Sequence, residues 1–129
     1  MTHTPPRTPS LFFLCVVWGG GTPGPLGPCF VTADEIPNPQ VLRCSTKVNG
    51  EVRQDSNTAD MIFTVAECIA WLSTEMTLAP GTVILTGTPE GVGAGKTPPI
   101  WLVAGDKVEC AIEGIGAITN RVAKAPGAK

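Results

Sequence analysis

The chain has 129 residues, of which 43% are apolar and 15 and 13 are glycine and proline, with a formal charge of −2. That length accommodates one domain around one core, and the apolar share is too high for a low-complexity chain despite the glycine and proline. With no basic surplus to neutralise phosphates, nucleic acid is a poor partner, which leaves small molecules and protein subunits.

Residues 1–24 differ in character from the remainder of the chain. Residues 1–10 are polar and Pro-rich, residues 11–18 are wholly apolar, and Gly19-Gly20-Gly21 comes next. Crossing a bilayer as a helix takes about twenty apolar residues, so no membrane span is expected here. Arg7 and the apolar run have the outline of a weak signal peptide, but a small-x-small cleavage site is missing before Gly19. The run is read instead as a buried strand, or as a poorly ordered amino terminus grafted onto the domain. Cys15, Cys29, Cys44, Cys68 and Cys110 form no Cys-x-x-Cys pair, and the single histidine, His3, lies in the Pro-rich tail. A zinc site is therefore not expected. An odd number of thiols at irregular spacing suits a reduced, intracellular protein in which they act as small apolar residues.

From Val41 a regular pattern begins. Leu42, Cys44, Thr46 and Val48 alternate with Val41, Arg43, Ser45 and Lys47, the signature of a half-buried strand. Asn49-Gly50 supplies the positive φ angles of a two-residue hairpin turn, and residues 51–54 read as the returning strand, followed by a polar loop at 55–58. Thr64 and Glu67 form a capping box at the start of a helix. Val65, Cys68, Ile69, Leu72 and Met76 make one apolar face, expected to pack on the sheet, and Pro80-Gly81 ends the helix. Val83-Ile84-Leu85 has the continuous apolar character of a strand buried on both faces. Residues 100–103, 107–112 and 117–122 read as further strands, with Val108, Cys110 and Ile112 on one side and a turn at 114–116, before a tail at 123–129.

The run Thr86-Gly-Thr-Pro-Glu-Gly-Val-Gly-Ala-Gly-Lys-Thr97 is not a phosphate-binding loop. A P-loop ending at Gly95-Lys96-Thr97 needs glycine at position 90, which is Glu, and Gly91 is one residue too close. Such a loop must also open into a helix, whereas Pro98-Pro99 comes directly after it and drives the preceding residue out of helical geometry. The same objection removes a dinucleotide reading of Gly91, Gly93 and Gly95. A strand emerging into Thr86-Gly87-Thr88-Pro89 instead offers two hydroxyls and exposed amides, which can hold a carboxylate. The alternative is a turn whose threonines bond only their own backbone.

Pro25-Leu26-Gly27-Pro28, Val31-Thr-x-Asp-Glu-Ile36, Val48-Asn-Gly-Glu51, Arg53-Gln-Asp-Ser-Asn-Thr58, Asp60-Met-Ile-Phe63, Pro80-Gly81 and Thr86-Gly-Thr-Pro-x-Gly-Val-Gly93 succeed one another in this order. The series resembles the carboxyl-terminal catalytic portion of the fumarylacetoacetate hydrolase family. It is closest to the acylpyruvase, oxaloacetate tautomerase and hydroxyheptadienedioate isomerase branch, and it covers about residues 25–122. The resemblance implies an α+β, β-rich fold: an incomplete fumarylacetoacetase-like mixed β-sheet roll with one amphipathic helix. It implies a small keto-acid substrate, a homo-oligomer, and a cytoplasmic location, or a mitochondrial one in a eukaryotic member. Family members use Mg²⁺ or Mn²⁺ to chelate an α-keto acid and stabilise an enolate. Thr88 is carried over as the hydroxyl facing the substrate carboxylate, with Gly87 allowing close approach and Thr86 beside it.

The family's metal-binding Glu-x-Glu pair and later Asp precede the Pro-Leu-Gly-Pro segment, and this chain has no counterpart to them. Nor does it have the lysine after that Asp or the family's His-Glu lid pair. The remaining carboxylate pairs, Asp34 with Glu35, Asp55 with Asp60 and Glu109 with Glu113, read as solvated charges. No catalytic residue and no metal ligand is therefore assigned. The chain reads as the substrate-carboxylate half of an enzyme site, inactive alone. The alternatives are a non-catalytic module that pairs with a full-length relative, or a small-molecule carrier.

Overall fold

The computed structural model describes residues 24–124. The expectations for residues 11–18, His3, Cys15 and most of the tail fall outside that range. Strand β1 (Arg43–Val48) turns through Asn49 (φ 53°) and Gly50 (φ 86°) into β2 (Glu51–Asn57), so both turn residues adopt the positive φ that a tight hairpin requires. Strand β3 (Lys107–Ile112) pairs with the other side of β1, and β4 (Gly116–Arg121) pairs with β3. The order is β2-β1-β3-β4. The α+β, β-rich class holds, while the sheet expected to be mixed is antiparallel throughout among the described residues.

Register brings the two alternating patterns onto one face. Thr46 pairs with Cys110, which pairs with Ile118, and Val48 pairs with Val108. Opposed residues in a ladder share a face, so Cys44, Thr46, Val48, Val108, Cys110, Ile112 and Ile118 all point the same way. Lys47 and Glu109 meet on the other face, 3.6 Å apart. Val108 and Cys110 are buried together with Val31, Leu42, Val65 and Ile115, a small core in which no side chain is fully enclosed.

Four local expectations are corrected. Strand β2 runs to Asn57 instead of ending at Gln54, because Ser45, Cys44 and Arg43 give Asp55, Ser56 and Asn57 ladder partners. It is an edge strand, so its polar side chains are free to bond to segments outside the sheet. Helix α1 (Val65–Glu75) stops well short of Pro80. Ser73 and Thr74 donate their hydroxyls to the carbonyls of Ile69 (2.7 Å) and Trp71 (2.6 Å), and this back-bonding competes with another helical turn. Met76 is left as an exposed cap. The helix is not laid on the sheet: the extensive contacts between elements are all strand to strand. Its start is held by Gln40, which accepts from the Val65 amide at 2.7 Å and donates to the Thr58 carbonyl at 2.9 Å. Finally, residues 83–85 and 100–103 are not strands. A strand needs a partner edge, and neither segment meets one among the described residues.

Candidate functional site

The Thr86-Gly87-Thr88-Pro89 turn stands over the face of the sheet that carries Val108 and Cys110. Gly87 (φ 96°) lies in the left-handed region favoured by glycine, and a side chain there would meet nothing within 4 Å, so the front of the turn is open. Its rear is fixed by β2. Between Thr46 and Lys47 the partner steps from Gln54 to Val52, so Arg53 is a bulged residue with no opposite number. Gly91 (φ 100°) seats against this bulge so closely that a Cβ would collide with the Arg53 carbonyl. Gly93 packs in the same way on the carbonyl of Ile100, whose amide donates back to the Gly93 carbonyl at 3.0 Å.

Gln54 completes the attachment. Its Nε2 donates to Thr88 Oγ1 at 2.8 Å, to the Pro89 carbonyl at 2.8 Å and, at longer range, to the Glu90 carbonyl at 3.3 Å. The Thr88 hydroxyl is thus engaged by a side chain from another element and not by its own backbone. The turn and the sheet enclose a cleft of about 1080 Å³ whose lining includes Arg53, Thr86, Thr88, Trp101 and Val108. The exclusion of a P-loop stands: Gly93–Gly95 makes a single 3-10 turn, and Lys96 after it is extended (ψ 156°).

Three carboxylates of the cleft wall, Asp55, Asp60 and Asp106, already have partners. Asp55 accepts two bonds from Arg43, at 2.8 and 2.7 Å, and these hold its pKa below the ordinary carboxylate value. Asp60 accepts from Ser56 at 2.8 Å. Asp106 accepts from the Val103 amide at 2.9 Å and from Asn49 at 2.8 Å, which likewise lower its pKa. Outside the cleft, Glu113 accepts from the Arg43 amide at 3.0 Å. No group of three or more His, Cys, Asp or Glu among the described residues is placed to hold a metal ion. Cys29, Cys44 and Cys68 are free thiols, and burial, ahead of the nearby Asp60 and Asp55 charges, raises the pKa of Cys44. No helix among the described residues is long and apolar enough to cross a membrane.

An antiparallel sheet that clamps an open, hydroxyl-bearing turn over a partly apolar cleft defines a β-rich α+β domain with one candidate ligand cleft. Residues 19–123 match the carboxyl-terminal domain of fumarylacetoacetate (FAA) hydrolase, and the chain belongs to that family. It is 51% identical over 98 residues to the mitochondrial oxaloacetate tautomerase Fahd2a of Rattus norvegicus, a match covering 76% of this chain and 31% of that protein. The fumarylacetoacetate hydrolase of the psychrophilic Exiguobacterium antarcticum superposes with a TM-score of 0.76 at 43% identity, over 79% of this chain and 36% of that one. Fumarylpyruvate hydrolase from Pseudomonas aeruginosa, solved with Mn²⁺ and pyruvate, superposes with a TM-score of 0.70 at 35% identity, over 80% and 41%. The chain therefore spans about a third of the length of the curated relatives it matches.

Residue reasoning missed Gln54. It was legible only as one letter of the Arg53-Gln-Asp-Ser-Asn-Thr58 motif, because its partner lies 34 positions away and no periodicity links them.

Proposed function

We propose that this chain supplies the substrate-carboxylate part of a fumarylacetoacetate-hydrolase-family site. The substrates are β-diketo or α-keto dicarboxylic acids, and the chemistry is carbon–carbon bond hydrolysis, oxaloacetate decarboxylation or keto–enol tautomerisation. The observation that carries the reading is the open turn itself, with the Thr88 hydroxyl at the cleft in a chain 51% identical over 98 residues to part of an oxaloacetate tautomerase. Thr88 donates to the substrate carboxylate, Gly87 lets it approach, and Thr86 flanks it. The pyruvate held by the Pseudomonas aeruginosa relative is a smaller α-keto acid that carries the same carboxylate group.

In this reading residues 25–122 form a partial domain, with residues 1–24 and 123–129 outside it. The Mg²⁺ or Mn²⁺ site of the family belongs to the part without counterpart here, and the chain alone does not turn substrate over. The parent assembly is a homo-oligomer, cytoplasmic or, in a eukaryotic setting, mitochondrial. Titrating the chain with pyruvate and tracking the amide resonances of residues 86–91 tests the binding claim. Shifts confined to the turn and removed by Thr88→Val are expected, and an unresponsive turn refutes it. Assays with oxaloacetate and Mg²⁺ test the rest: no turnover is expected, and turnover that persists without metal yet depends on Thr88 contradicts the reading.

A second reading has its own support. Ile62, Phe63, Trp71 and Trp101 are exposed, as a module that pairs with a full-length relative requires.

A further inference from the structure

We infer that Gln54 is a positioning residue that fixes the Thr88 hydroxyl as a donor toward the cleft. The inference rests on the proposed carboxylate-binding role of the turn and extends it to a residue outside the turn.

The side-chain amide of Gln54 has two faces, and its surroundings decide which one meets the turn. The Pro89 and Glu90 carbonyls, at 2.8 and 3.3 Å, can only accept. An amide oxygen in that position would face two carbonyl oxygens, so the atom there is the Nε2 nitrogen. The same nitrogen lies 2.8 Å from Thr88 Oγ1. With one proton directed at Oγ1 and the other at the two carbonyls, Gln54 gives the hydroxyl a donor and leaves it nothing to donate to. A hydroxyl has one proton and two lone pairs, and here one lone pair is occupied. Among the described residues the Thr88 hydroxyl donates to no protein group, so its proton is available to the cleft. A threonine rotating freely would present a lone pair to an incoming anion in part of its population. By occupying one of the two lone pairs, Gln54 reduces that population before the ligand arrives, which is preorganisation of a donor. Oxygen acceptors, carboxylate and keto oxygens above all, are the ligand class such a hydroxyl selects.

The bulge at Arg53 makes this geometry available. It shifts the register at Gln54 and receives Gly91, so the turn is brought to the amide by backbone packing and not by the amide alone. Loss of the Gln54 donor is therefore expected to free the hydroxyl without dislodging the turn.

The experiment combines a ligand-free measurement with a double-mutant cycle on the full chain. In the free protein, the Gln54 side-chain amide protons are expected to be displaced from the free-glutamine position. They should move again in Thr88→Val and stay close to wild type in Thr88→Ser. An amide unmoved by Thr88→Val overturns the inference whatever the ligand does. With pyruvate as probe, Gln54→Met, which keeps the side-chain length and lacks the donor, is expected to weaken binding roughly tenfold, and Thr88→Val roughly tenfold or more. The double variant should bind no more weakly than Thr88→Val alone. If Gln54 merely supported the backbone, its loss would weaken binding again in the Thr88→Val background, and that additive result overturns the positioning role. A wild-type chain that ignores pyruvate overturns the carboxylate reading, while an additive cycle in a chain that binds it overturns only the role of Gln54.

Discussion

Gly91 and Gly105 have nearly the same backbone geometry, φ 100° and 102°, yet they should respond differently to an added methyl group. At Gly105 a Cβ meets nothing within 4 Å, so alanine meets only the backbone preference, about 1 kcal/mol. At Gly91 the same Cβ must displace the Arg53 carbonyl, a rigid atom of the bulge, and a loss of about 3 kcal/mol or more is expected. Urea denaturation of Gly91→Ala and Gly105→Ala checks this, and equal midpoints would show that the turn is not seated on β2. Both glycines were visible in the sequence, but which one carries the packing was not, since the difference lies in an atom 38 positions distant in the chain. The same holds across the Arg53 to Thr58 motif, whose letters serve chiefly as fasteners. Asp55 pairs with Arg43, Asn57 caps the adjoining 3-10 turn through the Ala59 amide, and Thr58 bridges Leu42 and Pro39.

Local rules succeed for elements whose determinants are local. Helix α1 begins where Thr64 and Glu67 predict: the Glu67 amide donates to Thr64 Oγ1 at 3.2 Å and the Thr64 amide donates to Glu67 Oε2 at 2.7 Å. Thr64→Ala should therefore cost about 1 kcal/mol, read from the urea midpoint. The Thr64 amide first, and second the Thr64 hydroxyl, which also donates to Glu67 Oε2 at 2.8 Å, hold the Glu67 pKa below its ordinary value. A carboxyl whose folded pKa is lowered stabilises the fold above its unfolded pKa, and that contribution disappears as pH falls through the folded one. Helical ellipticity should accordingly decline as pH drops below about 4, more steeply in wild type than in Glu67→Gln, where no charge is lost. A wild-type acid limb identical to that of Glu67→Gln would rule out this origin. Asp55 beside Arg43 titrates with the same sign and adds to the acid lability. Non-local elements were less legible. Residues 83–85 and 100–103 have strand-like composition, but a strand is completed by its neighbour, and apolar character cannot report whether a neighbour exists.

At the scale of the whole molecule, apolar periodicity identified which residues seek cover without showing that the cover is thin. Among the described residues six hydrophobic side chains are buried, while Ile62 is 91% exposed, Trp71 69% and Trp101 68%. Trp101 and Leu102 also line the cleft, so the uncovered surface adjoins the proposed site. Apolar surface left in water drives association, and its strength grows with the area removed from contact with solvent. The purified chain should therefore self-associate, with its apparent mass in light scattering rising with concentration and an apolar dye binding to the dilute form. Trp101→Lys places a charge on that surface without touching the six core residues, and it should lower the association while leaving the far-ultraviolet spectrum unchanged. A monomer at every concentration that binds no dye would oppose the pairing-module reading and leave the half-site reading in place. Association unaffected by Trp101→Lys would instead locate the contact elsewhere, and Trp71→Lys on the helix then tests the other exposed surface. If Trp101→Lys blocks association and pyruvate binding together, the contact surface and the carboxylate cleft are one continuous face, open at the front of the turn and closed where β2 holds its rear.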